Sequence, residues 1–196
     1  MRLLIATTNP GKVREYADLF AGLQFDLVNL ADVGLSNDVD ETGTTYEENA
    51  LLKANEYAAH SGLLTLADDS GLEVDALDGR PGVYSARYAP DSPTRIQKLL
   101  GEMKNVSGDQ RRARFQCVIA LAWPDGRTKT TRGSCEGWIA HEPRGTHGFG
   151  FDPIFYMPEY NATLAELSES LKNTISHRAH AAQKMRLVLE RVLSES

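Results

Sequence analysis

Two adjacent carboxylates, Asp68 and Asp69, stand at the end of an apolar run and directly before Ser70-Gly71. The pattern predicts a strand over 63–68 that breaks at the Ser-Gly pair. In extended backbone, neighbouring side chains point to opposite faces, so one Asp can face a ligand while the other supports it. Paired carboxylates held close suit a hard cation such as Mg²⁺, or removal of a proton from water. An isolated Asp-Asp is more often a solvated turn. Further ligand-handling segments elsewhere in the chain tip the balance here.

The first of these is Thr7-Thr8-Asn9-Pro10-Gly11-Lys12, between the apolar residues 3–6 and a helical pattern. A turn feeding a helix N-terminus presents amides and the positive end of the helix dipole to a phosphate, and Lys12 adds a point charge. The glycine spacing is not that of a Walker loop, and an ordinary strand-to-helix turn explains the segment alone equally well. The second is the acidic loop Asp38-Val39-Asp40-Glu41-Thr42-Gly43. It offers carboxylates for a metal shared with Asp68 and Asp69, or is simply a solvated loop. On the helix that follows, Asn49 and Lys53 are four residues apart and share a face; Lys53 can reach a phosphate or run out to solvent.

The third segment, Pro143-Arg144-Gly145-Thr146-His147-Gly148-Phe149-Gly150-Phe151-Asp152-Pro153, is rich in glycine. Its backbone can approach a ligand closely, Phe149 and Phe151 offer stacking faces, and Asp152 can bond a polar base edge. The plain alternative is a flexible loop with two core aromatics. The fourth is Lys172 with Ser176-His177-Arg178 at the start of the last helix. Cations at a helix N-terminus are electrostatically unfavourable, which favours an anion or polar-edge site over a plain cap.

The elements that must hold these residues follow from periodicity. A strand is expected over 3–6, a helix over 12–21, a strand over 25–30 and an acidic loop over 32–43. Thr44/Glu47 and Thr45/Glu48 both fit a capping box for a helix running to about His60, with Gly62 ending it. Strand 63–68 is followed by 72–77, a turn at Gly79-Arg80-Pro81-Gly82, and a helix from Ser92-Pro93 to about Met103. Residues 114–123 and 129–140 read as a hairpin about Pro124-Asp125-Gly126. Thr163/Glu166 forms another capping box, expected to open a short helix. Ser176 is expected to cap a final amphipathic helix with Met185, Val188, Leu189 and Val192 on one stripe. Mixed strands and helices with a hairpin give an α/β fold on a mixed sheet, in one domain over 1–196.

The chain has 196 residues, 41% of them hydrophobic, an ordinary globular composition. No apolar run reaches the roughly 20 residues that span a bilayer. The first residues are too short for a signal h-region. Two cysteines, Cys117 and Cys135, imply no disulfide framework, and a reducing cytoplasm is expected. A net charge of −6 argues against a nucleic-acid polymer as the partner, although a small anion can be held by a few placed cations. The basic cluster Arg111, Arg112 and Arg114 reads as a solvated rim.

Taken in order, these segments resemble the inosine triphosphate pyrophosphatase family, the HAM1-like pyrophosphatases of non-standard purine nucleoside triphosphates. The matching stretches are Thr7 to Lys12, Glu41-Thr42-Gly43 with Glu48-Asn49-Ala50 and Lys53-Ala54, and Ala67 to Leu72. They continue in Gly79 to Arg87, Gly148 to Phe155, and Ser176 to Ala179. The resemblance implies a long mixed β-sheet flanked by helices, two lobes around a central nucleotide cleft, a homodimer, and Mg²⁺ dependence. It implies hydrolysis of ITP, dITP and XTP to the monophosphate and pyrophosphate, which cleanses the nucleotide pool.

Carried over by position, Asp69 is the expected general base and a metal ligand, with Asp68 and Glu41 completing the metal set. Thr7, Thr8, Asn9, Pro10, Gly11, Lys12 and Lys53 are expected around the triphosphate, and Ser70 near the base or sugar. Phe149, with Gly150 and Phe151, is expected at the purine face. Asp152, Lys172, His177 and Arg178 are expected at its edge. Thr8 stands where the family usually has glycine, and a positive φ there would strain the turn. Two other readings are a Maf-like nucleotide pyrophosphatase of different base preference and a non-catalytic nucleotide sensor. The His177-Arg178 and Phe149 to Asp152 stretches argue against the first, and the intact Asp68-Asp69 pair against the second.

Overall fold

The computed structural model describes residues 1–36 and 38–195. In chain order the elements are β1 (Arg2–Ile5), α1 (Pro10–Leu19), β2 (Asp26–Asn29), α2 (Tyr46–Ser61), β3 (Leu64–Val74) and α3 (Ser92–Glu102). They continue as β4 (Arg112–Ala122), β5 (Thr128–Ile139), β6 (Phe155–Met157), β7 (Ala162–Thr163), α4 (Glu169–Ile175) and α5 (His177–Ser194). The strands join in one seven-stranded sheet of order β2-β1-β3-β4-β5-β6-β7. β1 runs parallel to β2 and β3, while β6 runs antiparallel to β5 and β7. The sheet is therefore mixed, as the α/β reading requires.

By packing, the chain divides into two compact units. The first holds residues 1–69, 117–133 and the chain from Arg178 on; the second holds 70–116 and 134–177. In the first unit the period of two along each strand divides the core into two layers. Leu3, Ile5, Leu64, Leu66, Cys117, Ile119 and Leu121 pack with Tyr16 and Phe20 of α1 and Met185 and Leu189 of α5. Leu4, Ala6, Ala67, Val118, Ala120 and Ala122 pack with Ala50, Ala54, Tyr57 and Ala58 of α2. A sheet covered on both faces explains why these strands read as continuous apolar runs. The second unit has its own core, built on Leu72, Leu99, Met103, Phe115, Ile154, Phe155 and Leu164.

Local signals set most boundaries. Asn9 caps α1, its Oδ1 accepting from the Gly11 and Lys12 amides, with Pro10 in the first turn. Of the two candidate boxes before α2, the one that forms is Thr45/Glu48, and Gly62 ends the helix at φ 67°. Trp123 N–H donates to Arg127 O across the turn between β4 and β5.

Two expectations are corrected. The strand carrying Asp68 and Asp69 does not break at Ser70-Gly71; β3 runs on through Val74. Leu72 and Val74 are fully buried, and that alternating burial holds the backbone extended past a Ser-Gly pair that would turn in water. The Thr163/Glu166 pair does not open a helix. Glu166 Oε2 accepts from Thr163 N–H at 2.7 Å, but Thr163 is paired in β7, and α4 starts later, capped by Ser168.

Candidate active site

The pleat of β3 decides what surrounds the two aspartates. Asp68 falls in phase with Leu64 and Leu66 and so points toward α1 and α5. Its Oδ2 lies 3.0 Å from Lys12 Nζ, accepts from Arg178 Nη2 at 3.3 Å, and has the Cys117 thiol at 3.8 Å. Burial alone would raise the Asp68 carboxyl, but Lys12, Arg178 and Lys53 overcome it and hold it well below the ordinary carboxylate value. The same burial pushes the Cys117 thiol up to about 12, so it stays neutral beside the carboxylate. Asp68 Oδ1 is buried with no hydrogen-bond partner.

Asp69 points the other way, toward α2. Its Oδ2 accepts from Asn49 Nδ2 at 3.0 Å, and its Oδ1 lies 3.9 Å from Lys53 Nζ. Lys53 also donates to Glu41 Oε1 through a short contact, so Glu41 and Asp69 share one ammonium. Burial raises the Asp69 carboxyl above the ordinary value, and nearby Glu41 adds to that against the pull of Lys53. For Lys53 the order reverses: burial lowers it, and Asp69, Asp68 and Glu41 more than restore it, so it remains a cation. A buried carboxylate with a raised pKa beside a fixed cation is the pattern of a general base.

The expected joint metal set is accordingly divided. Among the described residues, no group of three or more His, Cys, Asp or Glu side chains is gathered to hold a metal ion. Asp68 lies on the opposite face of the pleat from Glu41 and Asp69, already engaged with two cations. Glu41 and Asp69 remain as hard oxygen donors around a common positive charge, a set that fits Mg²⁺ completed by phosphate oxygens.

The Thr7 to Lys12 turn is ordered by its own side chains. Thr7 Oγ1 accepts from Asn9 N–H at 3.2 Å, and Asn9 Oδ1 from Gly11 N–H at 2.8 Å. Among the described residues, the non-glycine positions with positive φ are Asp78 and Asn161. Thr8 therefore sits in the glycine position without strain.

In the second unit, Asp152 is 3% exposed and Lys172 4% exposed. Lys172 Nζ donates to Asp152 Oδ2 at 2.6 Å, and the Phe149 amide donates to the same oxygen at 2.9 Å. The ammonium lies 4.9 Å from the half-buried Phe149 ring. Gly148 is required here: its φ is 76°, and a Cβ would come within 2.1 Å of Asp152 Oδ2. The His177 ring stacks on Phe115 at 4.6 Å. Phe151 is corrected from the expected ligand face: its ring is buried in the core, edge-on to Tyr88.

Arg178 is held between carboxylates. It is 1% exposed and donates to Glu15 Oε2 at 2.6 Å as well as to Asp68. A role at a base edge finds no support in these contacts, because two carboxylates hold the guanidinium. Glu15, Tyr16 and Cys117 complete the Asp68 surroundings and carry no sequence signal beyond helical and strand periodicity. Asn49 was marked by its spacing from Lys53, though not as a partner of Asp69.

The α/β fold thus sets Lys12 beside Asp68 on one face of β3 and Lys53 beside Asp69 on the other. A model of the Ham1 family matches residues 3–188, and the chain belongs to that family. It is 48% identical over 190 residues to the dITP/XTP pyrophosphatase of Bacillus subtilis (strain 168), covering 95% of this chain and 96% of the relative. The dITP/XTP pyrophosphatase of Desulforamulus reducens is 49% identical over 195 residues, 98% of this chain and 97% of its own. Among solved structures, the HAM1 protein of Coxiella burnetii superposes with a TM-score of 0.88 at 40% identity, covering 97% of this chain and 99% of that one. The Ham1 protein of Staphylococcus aureus gives 0.86 at 41% identity, covering 97% and 98%.

Proposed function

We propose that this chain hydrolyses non-standard purine nucleoside triphosphates, ITP, dITP and XTP, to the monophosphate and pyrophosphate. The observation that carries the reading is Asp69: a carboxylate with a raised pKa, oriented by Asn49 and set beside the Lys53 cation. Family membership and relatives named dITP/XTP pyrophosphatase over nearly the whole chain support the substrate class.

Asp69 takes the proton of the attacking water. Lys12 and Lys53 meet the triphosphate, with Asn9 holding the turn that carries Lys12. Glu41 and Asp69 would hold Mg²⁺, which when bound neutralises charge on the phosphate oxygens. Asp68 steadies Lys12 and Arg178 from the other face of β3. The purine stacks on Phe149, and Lys172, fixed by Asp152, donates to its 6-oxo group alongside His177. Opposite the 6-amino group of adenine that donor would be left unpaired, at a cost of about 1–3 kcal/mol per donor.

Clearing the nucleotide pool is work of the cytoplasm, and among the described residues no helix is long and apolar enough to cross a membrane. The exposed Tyr84, on the Gly82–Arg87 turn, is a candidate part of a homodimer surface.

The test is pyrophosphate release from ITP, dITP, XTP, GTP, ATP and CTP, with Mg²⁺ and with EDTA. Mg²⁺-dependent release from ITP, dITP and XTP, with little from ATP or CTP, is expected. Turnover confined to pyrimidine nucleotides, or tight binding without turnover, would sink the assignment.

A further inference from the structure

The geometry points to Asn49 as a positioning residue for Asp69, locked in its working orientation by the backbone amide of Gly43. The inference rests on the reading of Asp69 as the base.

Asn49 lies on α2 and is 0% exposed. Its amide has a donor end and an acceptor end, and nothing in the shape of the group distinguishes them. Its two neighbours do. Gly43 N–H can only donate, and it donates to Asn49 Oδ1 at 2.8 Å. The ionised Asp69 carboxylate can only accept, and its Oδ2 takes the Asn49 Nδ2 hydrogen at 3.0 Å. A flipped amide would set N–H against N–H and oxygen against oxygen, both buried, so the flipped state is excluded.

The donor is thus always presented to one oxygen of Asp69. That fixes the carboxylate plane, with Oδ1 as the oxygen nearest Lys53. The approach of the loop to α2 leaves no space for a side chain at position 43. A Cβ there would lie 2.6 Å from Asn49 Oδ1 and 2.7 Å from Glu48 Cβ. Glycine is needed at 43 for closeness, not for a left-handed φ. Glu41 lies two residues before this clamp, so the same contact ties the acidic loop to the orientation of Asp69.

The test compares wild type with Asn49→Leu, which keeps the volume but neither hydrogen bond, and with Gly43→Ala, which pushes the amide out of line. The readouts are kcat for dITP, the dissociation constant of a non-hydrolysable dITP analogue, and the thermal midpoint. Positioning predicts kcat at least about tenfold lower in both variants, with analogue binding within about threefold of wild type. A kcat within about twofold of wild type in either folded variant would overturn the inference. So would a loss of binding equal to the loss of kcat.

Should neither variant fold, the Asn49 side-chain amide in ¹⁵N-labelled protein decides. Its protection from solvent exchange should be lost in Asp69→Ala, and unchanged protection overturns the inference. Asp69→Asn separates the two claims. Near-normal turnover in it sinks the base assignment, whereas an inactive Asp69→Asn with an active Asn49→Leu sinks only the positioning role.

Discussion

At the scale of single residues, one step along the chain separates two chemistries. Asp68 is buried among cations and stays ionised; Asp69, its neighbour, is buried with less compensation and is raised. Alternation along a strand made this legible, since adjacent side chains must face opposite ways. The partners were less legible. Arg178 meets Glu15 across 163 residues of sequence and Asp68 across 110, distances over which no local pattern speaks. Arg178, expected at the purine edge, is engaged by these two carboxylates.

The same ion pairs set a pH dependence. The folded pKa of Asp68 lies below its ordinary 3.8, so its ionised form stabilises the fold above that value, and the stabilisation fades as pH falls below it. Replacing Asp68 by Asn leaves Lys12 and Arg178 short of a partner, and breaking such buried pairs costs about 3–5 kcal/mol. Urea unfolding in EDTA should therefore show Asp68→Asn less stable near pH 7, with the gap constant down to about pH 4 and narrowing only as pH falls further. Parallel curves below about pH 4 would contradict the pairing.

At the scale of elements, caps were legible because they are local. Asn9, Thr45 and Gly62 each act within one turn of the helix they bound. In β3, Ser70-Gly71 is a turn signal in isolation, overridden by burial that only the assembled sheet supplies. The Thr163/Glu166 box failed likewise: its hydrogen bond forms, but pairing of Thr163 with Tyr156 holds it in a strand. The Gly-rich segment before β6 was legible in kind, and the structure narrows its requirement to named positions. Gly148→Ala should damage recognition rather than fold. Its Cβ meets the Asp152 carboxylate and the Lys172 ammonium, so KM for dITP should rise about tenfold or more, with smaller change in kcat. Unchanged KM would remove the Asp152–Lys172 pair from the purine site.

At the scale of the whole molecule, each unit is assembled from separated stretches of chain. The α/β class and the mixed sheet were legible from element order, whereas the division at 69/70, 116/117 and 133/134 falls inside strands and has no composition signal. Net charge does carry a consequence at this scale. At −6, the molecule as a whole is repelled by a polynucleotide backbone. Duplex DNA should show no binding at physiological salt while dITP binds, and salt-sensitive DNA binding would contradict this.

Asp69 carries the proposed chemistry. The measurement is kcat for dITP with Mg²⁺ in wild type and Asp69→Asn, beside the dissociation constant of a non-hydrolysable analogue. Loss of the base should lower kcat by about a hundredfold or more while binding stays within a few-fold. Near-wild-type turnover in Asp69→Asn would contradict the account.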